Sequence, residues 1–251
     1  MNISRSLVVM ITLVATLCAS IGRPVLAIDL SEQEVKLAID RGKKYLVNEQ
    51  AQNGSWSVDG LTDVRAGITS LCVLALLNSG MSPQDPPARR GLQFLRSLTV
   101  DDLSGKAETY QVSLVIMALA AAREPTDGVR IATFAQRLEQ GQRTNGNVGS
   151  WSYGVNGLSD SLGDQSNTQF AILGLREAVE AGASVNPQTW NRARDYWERN
   201  QNHDGGWGYS QGFNGELAPS RGSMTVAGVA SLAIIQQMLK SDQGVSADGT
   251  T

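Results

Sequence analysis

The sequence predicts an all-α fold built as a tandem array of helical hairpins, and three observations carry that expectation. Helix-like segments come in pairs, one member amphipathic and the other apolar around most of its circumference. A turn pattern, Gln-x-x-x-Gly-x-Trp, recurs between paired segments: residues 50–56 and 201–207 match it fully, and residues 145–151 match it with Asn145 in place of glutamine. Helix terminators separate the pairs, namely Asn78-Ser79-Gly80 with Pro83, then Pro125, then Gly182 with Pro187.

The chain opens like an export signal. Arg5 lies in a short basic start, residues 7–19 form an apolar run, and Val25-Leu26-Ala27 offers a small-residue cleavage site, so residues 1–27 are expected to be removed. The 13-residue run is shorter than the roughly 20 residues a membrane-spanning helix needs. The mature chain is expected in the periplasm or outside the cell, and not spanning a membrane.

After cleavage Cys72 is the one cysteine left, so no disulfide holds the domain and its core must suffice. With 41% hydrophobic residues, residues 28–240 are long enough for one sizeable core. A formal charge of −3 and interspersed acids and bases give no footprint for nucleic acid. Residues 241–251 are polar and aperiodic, and read as a disordered tail or linker.

Within the repeat domain the amphipathic partners are residues 34–49, 87–98, 129–142 and 187–200, with Lys43, Arg96, Arg137 and Arg194 on the wet side. These should form an outer layer. The apolar partners, residues 68–77, 111–122, 168–179 and 225–239, should form an inner one. Aligning Leu71 and Leu76 with Leu114 and Leu119, Phe170 and Leu175, then Ala227 and Leu232 gives unit spacings of 43, 56 and 57 residues. The differences fall in turns, where closure entropy grows slowly with length.

The turn pattern has a structural purpose. Gly54, Gly149 and Gly205 open backbone angles closed to other residues, and Trp56, Trp151 and Trp207 can lie across hairpin junctions, each burying about 150 to 250 Å² of ring. Gln50 and Gln201 end outer helices, where their amides can meet carbonyls those helices leave unpaired.

These turns resemble those of the terpenoid-cyclase and prenyltransferase repeat superfamily, the squalene-cyclase-like proteins with their recurring Gln-Trp turn. The likeness runs over about residues 34–239 and is greatest to exported bacterial members, with Thr109-Tyr110-Gln111-Val112-Ser113-Leu114 and Gly163-Asp164-Gln165-Ser166-Asn167-Thr168-Gln169 opening inner helices. The resemblance implies an α/α toroid, here a partial ring of four hairpins where a complete one takes about six. An open ring would leave two apolar ends, so self-association or additional chain is expected.

The superfamily's chemistry does not follow as readily. Cyclases protonate an alkene from an Asp-x-Asp-Asp motif, and the nearest text here is Thr99-Val100-Asp101-Asp102, which reads as a solvated loop pair. The zinc-dependent members need Asp, Cys and His converging on the metal, whereas His203 lies in a turn motif and Cys72 in an apolar helix. The Cys-Gly-Glu-Gln of thioester-bearing relatives is absent. Neither a metal nor a cofactor is expected.

If the molecule has a site, the N-terminal ends of the inner helices are the place for it, because unpaired amides and positive helix ends gather there. Asp63, Arg65, Glu108, Tyr110, Asp164, Asn167, Gln169, Arg221, Ser223 and Thr225 fall at those ends. Asp164 and Glu108 are the candidate catalytic acids, and Tyr110, Asn167, Gln169, Arg221 and Thr225 the candidate ligand contacts. Helix capping accounts for residues 164–168 as well, and a local ion pair for Glu108 and Arg221.

Three functions compete. The first is a non-catalytic module presenting its surface to an envelope protein or another partner. The second is an isoprenoid cyclase-like enzyme or a binder of an apolar small molecule. The third is a carbohydrate-active toroid enzyme, which would need Asp164 and Glu108 about 5 to 10 Å apart across a cleft.

Overall fold

The computed structural model describes residues 31–105, 107–154, 163–209 and 216–247. The expected export signal therefore lies outside the described residues. Every extended element among those described is helical: α1 (Glu32–Asn48), α2 (Arg65–Asn78), α3 (Pro86–Ser97), α4 (Glu108–Ala122), α5 (Gly128–Gly141), α6 (Gln165–Glu180), α7 (Pro187–Arg199) and α8 (Gly222–Ala247). The all-α expectation holds.

The chain divides into two compact units, residues 1–41 and 42–251. In the first, the described part is the start of α1, closed by a capping box in which Ser31 N donates to Glu34 and Glu34 N donates back to the Ser31 hydroxyl. The Ser31 hydrogen bonds hold the Glu34 carboxyl below its ordinary pKa.

In the second unit the apolar helices pack in chain order, α2 on α4, α4 on α6 and α6 on α8. The amphipathic helices flank them: α3 lies against α2 and α4, α5 against α4 and α6, and α7 against α8. Three of the four amphipathic helices thus lie against the apolar series, while α1 has no buried residue. Helix α4 shows why its sequence is apolar all round, since it has neighbours on every side and Val112, Leu114, Val115, Ile116 and Leu119 are all buried.

Outer helices are joined end to end by polar contacts. Arg96 of α3 grips the buried Asp127 ahead of α5 through two nitrogens at 2.7 and 2.8 Å. Glu139 of α5 accepts from Asn186 N at 2.7 Å and the Thr189 hydroxyl at 2.9 Å, fixing the start of α7.

Helix α8 runs to Ala247, past the point where a disordered tail was expected. No proline interrupts residues 241–247, and adding a residue to an existing helix is far cheaper than starting one. Among the described residues, the stretch Gly222–Lys240 is long and apolar enough to cross a membrane by length and composition, and a third of it is buried.

Candidate functional site

The three tryptophan turns share one geometry. Each indole donates to a carbonyl of the preceding outer helix: Trp56 to Leu46 at 2.7 Å, Trp151 to Leu138 at 2.7 Å and Trp207 to Trp197 at 2.8 Å. Each tryptophan N–H donates to a threonine hydroxyl of the following inner helix: Thr69 at 3.0 Å, Thr168 at 3.1 Å and Thr225 at 3.2 Å. One residue therefore ties an outer helix to an inner one through two hydrogen bonds and a buried ring. The aligned position in α4 is Val112, in the unit that has no such tryptophan.

The glutamines act across units. Gln50 Nε2 donates to Gly54 O inside its turn and to Pro87 O on the next outer helix, both at 2.9 Å. In the second tryptophan turn Gln142 makes the same pair of bonds, to Gly149 O at 3.3 Å and Thr189 O at 2.8 Å. Asn145 is therefore not the glutamine equivalent. The turn carries three extra residues after Gln142, and they hid the match. Gln201 keeps the turn bond, to Gly205 O at 2.8 Å.

Asp164 caps α6. Its carboxylate accepts from Asn167 N at 2.8 Å, from the Ser166 hydroxyl at 2.6 Å and from Asn167 Nδ2 at 2.7 Å. Its own carbonyl accepts from the Thr168 hydroxyl at 2.7 Å, and its N–H pairs with Trp151 O in an isolated antiparallel bridge. Both oxygens thus hold the first turn of a helix.

Tyr110 joins this cluster from α4, its hydroxyl donating to Ser166 Oγ at 2.8 Å. Its ring lies 4.6 Å from Phe170 and 5.9 Å from Tyr153, centroid to centroid. Burial pushes the Tyr110 phenol above its ordinary pKa. Tyr153 and Tyr209, each two residues past a turn tryptophan, are exposed, and their carbonyls accept from Thr109 N and Gln165 N at the starts of α4 and α6. The buried Oδ1 of Asn167, in this cluster, and the buried Oε1 of Gln165, at the start of α6, have no hydrogen-bond partner.

Glu108 is used differently. It is 2% exposed and meets Arg137 of α5, whose Nε and Nη2 lie 2.7 and 2.6 Å from one carboxylate oxygen. Of the residues named from sequence, Asp164, Asn167 and Tyr110 come together around Ser166, while Thr225 is committed to Trp207. Arg221 and Ser223 lie exposed at the start of α8, and Gln169 is half-buried on α6. Asp63 lends its carbonyl to Gln111 Nε2 at 3.0 Å. Asp102 accepts from Thr99 N and from the Thr99 hydroxyl, bonds that hold its pKa low.

Tyr209 was not singled out from sequence, and Phe170 was read only as an inner-helix position. The recurring Trp-x-Tyr at residues 151–153 and 207–209 was the available signal. Elsewhere, a groove of about 530 Å³ at the C-terminal ends of α4 and α6 mixes the charged Arg123, Glu124, Arg176 and Glu177 with the apolar Leu119 and Ile131. Among the described residues no group of three or more His, Cys, Asp or Glu side chains converges as a metal site would require. Compared with known proteins, the chain matches no family model and no curated sequence.

Proposed function

We propose that the chain is an exported, non-catalytic binding module whose second unit is a partial α/α toroid of the squalene-cyclase-like repeat kind. Two layers of helices packed in chain order, with tryptophan turns at the seams, support the scaffold reading. One observation carries the non-catalytic reading: the carboxylates of Asp164 and Glu108 are consumed in holding helices, one as a cap and the other against Arg137. A general acid needs a carboxyl free to exchange its proton with a substrate.

The partner-facing region in this reading is the aromatic and polar cluster around Tyr110, Tyr153 and Tyr209. A glycan is the favoured ligand there over an isoprenoid, since the exposed rings of Tyr153 and Tyr209 suit stacking on a sugar and carry hydroxyls that can hydrogen-bond it.

The test is to isolate the protein from its native envelope, identify any retained glycan or lipid by mass spectrometry, and assay turnover of both classes. Glycan retention that is lost in Tyr153→Ala and Tyr209→Ala, without turnover, is the expected result. Turnover that disappears in Asp164→Asn while helix content is preserved would restore the enzyme reading.

A further inference from the structure

Each inner helix meets the next in one register. A Cβ on Gly67 of α2 would touch Gln111 and Leu114 of α4 at 3.5 and 3.7 Å. Tyr110, which aligns with Gly67, meets Phe170 of α6, which aligns with Leu114. Further along, a Cβ on Gly174 of α6 would lie 2.9 Å from Ser113 Cα of α4. Every inner helix therefore has an incoming face, covered by the unit before, and an outgoing face, covered by the unit after.

At the two ends of the series one face is bare. On the outgoing side Val73, Ile116 and Ile172 are fully buried, and Val73 packs against Gly91 of the next outer helix, yet the aligned Val229 of α8 is 60% exposed. Val226 beside it is 68% exposed and aligns with Ser70, Ser113 and Gln169, so the uncovered helix is the one that carries an apolar side chain there. On the incoming side Leu71 of α2 is 52% exposed, whereas Leu114 and Ala227, which align with it, are buried.

The last turn agrees. A Cβ on Gly54 or Gly149 would collide with the carbonyl of Arg90 or Arg192 on the following outer helix, while Gly205 has nothing within 4 Å. Further along α8, a groove of about 620 Å³ between α7 and α8 is lined by Arg194, Leu232, Ile235 and Leu239.

We propose that these two faces bind each other between copies of the chain, the outgoing face of α8 receiving the first hairpin of a second copy through α2. The occupant follows from the repeat: the bare faces are the two halves of a contact the chain already makes three times, so a second copy supplies what each lacks. In that register Ser223 faces Leu71 of the second copy, and Val226 faces its Ala75. The contact is heterologous, one patch on each partner being different.

That asymmetry gives the test. The full chain is studied by analytical ultracentrifugation up to about 100 μM, with circular dichroism confirming helix content, as wild type, as Leu71→Lys and as Val229→Lys. Wild type should self-associate with concentration, and each variant alone should run as a monomer, its dissociation constant raised about tenfold or more. Mixed in equal amounts, the variants should form a 1:1 pair that grows no further, because one retains the α8 face and the other the α2 face. A monomeric wild type, variants that still associate, or a mixture that stays monomeric overturns the proposal. So does binding to phosphatidylcholine vesicles that depends on Val229 without association between copies, which would make α8 a membrane contact.

Discussion

Arg137 holds the buried carboxylate of Glu108 through two guanidinium nitrogens, at 2.6 and 2.7 Å, and so fastens the first residue of α4 to α5. Removing one partner would strand a buried charge, which costs about 3 to 5 kcal/mol. Arg137→Ala should therefore lower unfolding free energy by about that amount in a denaturant titration. Replacing both residues together with Leu and Met should cost far less, because no charge is left unpaired. A Glu108→Ala variant of unchanged stability would contradict this account.

The tryptophan clamp predicts a second result. Thr168→Val keeps side-chain volume but leaves the buried Trp151 N–H without its acceptor, a loss of about 1 to 3 kcal/mol. Thr69→Val and Thr225→Val should behave alike. The reverse change, Val112→Thr, should bring no gain, because that unit has no turn tryptophan to donate. Thermal denaturation of the four variants side by side checks the pattern.

Turn glycines should differ sharply although all three have positive φ, 86° at Gly54, 93° at Gly149 and 84° at Gly205. An alanine at any of them pays for left-handed backbone, about 1 kcal/mol. At Gly54 and Gly149 the new methyl also strikes a helix carbonyl, so the neighbouring outer helix must shift. Gly149→Ala should consequently destabilise by about 3 kcal/mol or more and Gly205→Ala by about 1, read from denaturant midpoints. Equal losses would mean that the last turn is packed like the others.

Helix pairing was legible because hydropathy period and terminator spacing are local properties of the chain. The contrast between helix types was legible for the same reason: α4 is buried on all sides and α7 on one. What escaped was anything decided by a partner distant in sequence. Asn145 stands where the second tryptophan turn's glutamine is expected, yet it is Gln142 that bonds Thr189, a residue 47 positions away. Glu108 looked like a site acid because a sequence does not reveal that Arg137, one helix on, points at it. Asp164 was readable both as a cap and as a catalytic acid, and its three accepted bonds show the cap.

Cys72 reports on both burial and association. It lies half-buried on α2 next to Leu71, and burial pushes its thiol from an ordinary 9.0 up to about 11. The raised value means that the folded state favours the protonated thiol. Its contribution to stability is complete below pH 9 and is lost as pH rises through about 11, so Cys72→Ala should flatten the alkaline limb of a stability curve. Little thiolate exists at pH 8, and iodoacetamide should react with Cys72 about tenfold or more slowly than with a free cysteine. If α2 also seats against α8 of a second copy, the rate should fall further as protein concentration rises, and Val229→Lys should abolish that dependence. A rate that matches free cysteine at every concentration would show that the α2 face is open in the folded chain.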